Sequence, residues 1–217
     1  TSIYLNRRLA EGHPRDLGRA KALLRQAGFR WDGQGRLLDA KGRRVEFSLY
    51  TNAGNDIREA VGVNLKQDLS ELGIAVNFKP MEFNVLVGKT QTGEWESILL
   101  GLTGGDPFEP NSSANVWRSN APVHFMYKRS PEEDPPRDRL PWEAKLDGLF
   151  DAGTAELEYG RRKPYYDAFQ QIVYDEAPMV FLFTSRHLVA VKDRVQNVRF
   201  TPLSTWHNLY DVWLDSP

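Results

Sequence analysis

Cysteine is absent from the 217 residues. That removes disulfides, thiolate metal sites and cysteine nucleophiles at one stroke. Histidine is scarce: His13, His124, His187 and His207 stand far apart, and no two share a zinc-binding spacing, so neither a metal nor any other cofactor is expected. A basic excess is missing as well. Lys and Arg number 28 against 29 Asp and Glu, a net charge of −1, which offers nothing to a phosphate backbone and excludes nucleic acid as an expected partner. No apolar run approaches the roughly 20 residues of a membrane-spanning helix. Phosphate-loop glycine patterns and a G-x-S-x-G are lacking too. The chain opens on Thr1 with no basic or apolar leader segment, and is expected to be a processed chain or an excised piece.

What is present fits a globular α/β protein. Hydrophobic residues make up 41% and charged residues 26%, enough to bury a core in one large or two small domains. Asp16 is placed to cap a helix over Leu17, Ala20, Leu23, Leu24 and Ala27 that stops at Gly28. Turn signals at Asp32-Gly33, Gly35 and Lys41-Gly42 punctuate short strands, and Val45, Phe47 and Leu49 alternate. The Asp32-Gly33-Gln34-Gly35 run lacks the later ligands of a calcium loop and reads as a hairpin turn. A second helix follows Asn55, carries Ile57, Val61, Leu65, Leu69 and Leu72, and stops at Gly73; a strand over Ile74, Val76 and Phe78 comes next. A short helix over 83–91 and a strand over 95–100 lead into a polar loop. Beyond an exposed excursion at 128–140, two more helices are expected over 141–153 and 158–176, a strand pair over 178–191, and a tail without clear period. Strands alternating with helices argue for α/β with a largely central sheet.

The loop at 101–120, GLTGGDPFEPNSSANVWRSN, is the chain's unusual feature. Long loops without secondary structure are uncommon inside compact domains and are functional or disordered when they occur. A strand before this one and Trp117 within it argue for function. Asp106 and Glu109, three apart, have the residue types of a general acid and base, yet acids beside Pro107 and Pro110 more often shape turns. A carboxylate in a cleft can also receive a cation or hydroxyl from a ligand. Trp117 and His124 are candidates for lining such a cleft, against the alternative that they belong to the core.

Several stretches resemble family 5 of the extracellular solute-binding proteins of ABC transporters. They are RAKALLRQAGFRWDGQGRLLDAKGRRVEFSLYTNAGN, REAVGVNLKQDLSELGIAVNFKPMEFNVLV, the loop GLTGGDPFEPNSSANVW, and the helices PWEAKLDGLFDAG and RKPYYDAFQQIVYDEAPMVFLF. The match runs in order over about 15–214. It implies a periplasmic-binding-protein-like lobe with a central mixed sheet flanked by helices, in a parent more than twice as long with a ligand held between two lobes. On that reading 1–192 is the carboxy-terminal ligand-binding lobe and 193–217 a return segment toward the missing amino-terminal lobe. The chain would be no enzyme but the binding component of an importer for oligopeptides, with ABC permease subunits as partners. Its place would be extracytoplasmic, in the periplasm or lipid-anchored at the outer face of the cytoplasmic membrane. The resemblance places Asp106 on a peptide's α-ammonium, with Gly104 and Gly105 letting the backbone approach. The neighbouring Asn111, Asn115, Trp117 and His124 suit an oligosaccharide equally. A hydrolase domain using Asp106 and Glu109 is the alternative from a different class.

Overall fold

The computed structural model describes residues 2–9, 11–102, 109–126, 139–184, 188–201 and 207–215. Local chemistry sets the first elements where the sequence puts them. The Asp16 carboxylate accepts the Arg19 amide at 2.8 Å and starts α1 (Leu17–Gln26). Asn55 does the same for α2 (Asp56–Ser70) through the Arg58 amide at 3.0 Å, and Glu82 for α3 (Phe83–Thr92) through Val85 at 3.0 Å. Between α1 and α2, β1 (Arg30–Trp31) and β2 (Leu37–Leu38) pair antiparallel. Asp32 closes their turn by accepting the amides of Gln34 and Arg36.

The sheet is three-stranded and parallel, in the order β4 (Ala75–Met81), β3 (Glu46–Asn52), β5 (Ser97–Ile98). Phe47 lies opposite Val76, and Leu49 opposite both Phe78 and Ser97. Ladders on both sides and helices α2 and α3 against it bury Ser48, Leu49 and Thr51 together. The alternating pattern of Val45, Phe47 and Leu49 therefore does not mark one dry and one wet face; a central parallel strand is covered on both. Gly62 lets α2 approach β4, since a Cβ there would lie 2.2 Å from the Phe78 ring. Gly73, at φ 77°, turns the chain out of α2, and its carbonyl accepts the amide of Leu37, a fully buried residue.

The second half is helical. A 3-10 turn at Pro110–Ser113 runs into the short α4 (Ala114–Trp117). Helices α5 (Pro141–Ala155) and α6 (Tyr159–Glu176) pack on each other, and α6 passes Pro164 unbroken. Their core joins Tyr4, Val116, Trp117, Leu146, Phe150, Tyr166 and Val173. Phe169 meets Trp117 and Phe150 edge-on, each with ring centroids 5.2 Å apart. The N-terminal segment is stapled along α6: Gln170 donates to the Tyr4 carbonyl at 2.8 Å, accepts the Asn6 amide at 2.9 Å, and Tyr159 donates to the Ile3 carbonyl at 2.9 Å.

The expected strand pair at 178–191 is not formed. None of the described residues 178–184 and 188–191 lies in a strand, and Val180, Phe181, Leu182, Phe183, Leu188 and Val189 are exposed. Among the described residues no strand pairs with them, and propensity without a ladder does not make a strand. The tail instead contributes a small antiparallel pair, β6 (Val195–Gln196) with β7 (Trp213–Leu214).

Candidate functional site

The polar loop leaves the sheet at its carboxyl edge, where open α/β sheets place their ligands. Residues 103–108 lie outside the described residues, and with them Gly104, Gly105 and Asp106. Both flanks are described. On the sheet side, the Leu99 amide donates to the Tyr50 carbonyl at 2.8 Å, and the buried Thr51 hydroxyl donates to the Leu99 carbonyl at 2.9 Å. Arg58, on the first turn of α2, donates to the Asn52 side-chain oxygen and runs beside Gly101, where a Cβ would come within 2.8 Å of its guanidinium.

On the helical side, Glu109 caps the turn that follows it, accepting the Asn111 amide at 3.2 Å. Its two carboxylate oxygens take a two-pronged grip from Arg162, at 2.6 and 3.0 Å. The Glu109 carboxylate holds the Arg162 proton still more firmly than usual, against the cost of burial. Glu109 is thus a loop anchor with its charge already matched. Asn111 accepts a hydrogen bond from Thr154 at 2.9 Å, and Asn115 is exposed one helical turn further on.

Trp117 and His124 sit apart from these. Trp117 is buried against Phe169 and Phe181, and its ring belongs to the helical core. His124 is buried with both ring nitrogens engaged. Nδ1 donates to the Val116 carbonyl at 2.9 Å, which fixes that proton because a carbonyl oxygen only accepts. Nε2 lies 2.9 Å from the Glu143 carboxylate, which also accepts the Leu140 amide at 2.7 Å and so caps α5. Beside this pair, Asp147 accepts the amide and hydroxyl of Ser119, at 2.9 and 2.6 Å, and Arg139 at 2.9 Å. Burial alone would raise the Asp147 carboxyl, but the Ser119 hydrogen bonds and the Arg139 guanidinium outweigh it and hold it below the usual carboxylate range. These groups lock the segment after the loop onto α5. Composition and spacing gave no sign of the two pairings that reach across to α5, because His124 and Glu143 stand 19 positions apart and Ser119 and Asp147 stand 28 apart.

Among the described residues no group of three or more His, Cys, Asp or Glu could hold a metal ion, and no helix is long and apolar enough to cross a membrane. The family model for bacterial extracellular solute-binding proteins, family 5 (middle part), matches residues 4–124, more than half of the chain. The chain belongs to that family. It is 24% identical over 201 residues to the oligopeptide-binding protein AppA of Bacillus subtilis, covering 90% of this chain and 34% of AppA. It is 29% identical over 189 residues to a probable ABC transporter-binding protein of Deinococcus radiodurans, covering 82% of this chain and 31% of that protein. The family 5 chain thus spans about a third of the length of these curated relatives. The AppA structure, in complex with a nonapeptide, superposes with a TM-score of 0.73 at 19% identity, covering 99% of this chain and 41% of AppA. The binding protein MelB of Agrobacterium fabrum, in complex with stachyose, gives 0.69 at 18% identity over 82% of this chain and 27% of MelB. At such identities the structures establish a shared fold.

Proposed function

We propose that the chain is the carboxy-terminal lobe of the substrate-binding component of an ABC importer, and that the parent protein captures oligopeptides in a cleft whose wall includes 101–111. Residues 1–192 form the lobe, and 193–217 return toward the amino-terminal lobe. Ligand closes the two lobes, and permease subunits accept the closed form outside the cytoplasm, from the periplasm or from a lipid anchor at the membrane's outer face. The family match across the loop carries this reading. The hydrogen bonds at both described flanks, Leu99 and Glu109, support it, since held flanks spare the ligand part of the cost of ordering a wall.

Within the loop, Asp106 receives the peptide ammonium, Gly104 and Gly105 admit the backbone, and Asn111 and Asn115 offer polar contacts at the rim. Trp117 and His124 act behind the wall by fixing its packing. An oligosaccharide ligand is the second reading, favoured by the likeness to the stachyose-binding MelB. The hydrolase alternative loses its second carboxylate, because Glu109 is occupied by Arg162. Titration calorimetry of the full-length protein with a nonapeptide and with stachyose separates the readings. Peptide binding that weakens at least 30-fold in Asp106→Asn supports the first; stachyose binding indifferent to that change supports the second. Turnover of either probe would overturn both.

A further inference from the structure

Arg162 has five N–H donors, and each has a partner among the described residues. Nε donates to the Gly153 carbonyl at 2.7 Å, Nη1 to the Tyr4 hydroxyl at 3.2 Å and to Glu109 at 3.0 Å, and Nη2 to Glu109 at 2.6 Å and to the Tyr166 hydroxyl at 3.3 Å. The guanidinium also lies near the rings of Tyr4 and Tyr166, at 5.5 and 5.3 Å from their centroids. Its side chain is 17% exposed, whereas that of Glu109 is 43% exposed. One arginine thus gathers the N-terminal segment, the end of α5, the interior of α6 and Glu109 of the loop.

We infer that Arg162 is a positioning residue for the ligand wall, holding 109–113 in one place against the α5–α6 core and linking that place to the N-terminal segment through Tyr4. The chemistry calls for arginine. Lysine presents three donors from one nitrogen and cannot span Gly153, Tyr4, Tyr166 and both oxygens of Glu109 together. From Leu99 to Glu109 the chain is tied at each end; beyond Glu109 the turn is held to α5 by the buried Pro110 and by the Thr154 hydrogen bond to Asn111, so the Arg162 grip is the charged tie among three. Freed residues 109–113 would have to be ordered again whenever ligand binds. Tyr4 adds a consequence for closure. The segment stapled along α6 by Gln170 and Tyr159 ends on the same guanidinium that grips the wall, so a displacement of residues 2–6 reaches Glu109 through one side chain.

The inference rests on the proposed binding function for its meaning but not for its test. In the full-length protein, amide hydrogen exchange is compared for wild type, Arg162→Lys and Glu109→Gln. Glu109→Gln leaves Arg162 packed in the core, and so remains informative should Arg162→Lys fail to fold. Exchange at Ser112 and Ala114 is expected to quicken at least tenfold in both variants, with 146–150 in α5 unchanged. Unchanged exchange at 112–114, or an equal rise throughout α5, would overturn the inference and leave Arg162 a stability residue only. In parallel, whichever of the nonapeptide and stachyose binds wild type should bind each variant at least tenfold more weakly, chiefly through faster dissociation. Unaltered affinity alongside loosened 112–114 also overturns the inference. If wild type binds neither probe, the functional reading fails, and the exchange result alone decides whether Arg162 positions 109–113.

Discussion

Gly35 and Gly73 offer a matched pair for testing how the β1–β2 hairpin is held to the end of α2. Their φ angles are 76° and 77°, so alanine pays the same left-handed backbone cost at both, about 1 kcal/mol. Only the surroundings differ. A Cβ on Gly35 meets nothing within 4 Å, whereas on Gly73 it falls 2.3 Å from the Gly35 carbonyl oxygen and 2.7 Å from the Leu37 amide nitrogen. Both of those are backbone atoms, so relief requires moving the hairpin. Movement breaks the 2.9 Å bond from Leu37 N–H to the Gly73 carbonyl and unpacks the fully buried Leu37 side chain. Overpacking of this kind costs about 1–3 kcal/mol, and the hydrogen bond about 1 more. Gly35→Ala should therefore lower stability by about 1 kcal/mol and Gly73→Ala by roughly 3–5 kcal/mol. For a chain of this size, that is a fall in melting temperature of about 2–4 °C against about 6–20 °C. Thermal melts followed by far-ultraviolet circular dichroism measure both. Equal drops in the two variants would refute the close approach and leave backbone conformation as the whole effect.

Three further outcomes follow from the helical half. Trp117→Ala should cost about 3–5 kcal/mol in a melt, because the ring fills the core beside Phe169; a loss confined to ligand affinity would return the ring to the cleft. Glu143→Ala strips the cap from Leu140 and leaves His124 Nε2 buried without its partner carboxylate, and should cost about 3 kcal/mol by urea denaturation. The Asp147 carboxyl titrates lower in the folded chain than in the unfolded one, so its contribution is complete above the unfolded value of about 4 and fades as pH falls through the folded one. Asp147→Asn should thus be the less stable protein at pH 7, by about 2 kcal/mol, and the gap should close below about pH 4; a gap that widened in acid would reverse the assignment.

Local signals made much of the architecture legible. Asp16 and Asn55 mark helix starts because a cap needs only its own next turn. Leu146 and Phe150 mark α5 because a helix repeats its buried face every three or four residues. The stretch 178–191 was misleading for the converse reason: a strand needs a second segment, and its own residues cannot say whether one is at hand. At the site, the loop and the anchoring character of Glu109 were readable from Pro110 and the turn chemistry around it. Its partner was not, since Arg162 stands 53 residues away in an ordinary run of basic residues. Trp117 and His124 sit close to the polar loop in sequence, but a 3-10 turn and one turn of helix are enough to swing them inward. Proximity along the chain gave their neighbourhood without giving their direction.

The uncovered run from Val180 to Thr184 has a practical side. It carries Val180, Phe181, Leu182 and Phe183 in succession, exposed, without one charged residue. Uncharged windows of that length, rich in aromatic and branched residues, are the ones that stack into intermolecular cross-β ladders. A preparation of this chain by itself therefore carries its own nucleus for precipitation. Lysine at Phe183, whose ring is exposed, is the change that would keep it in solution while leaving Phe181 against Trp117.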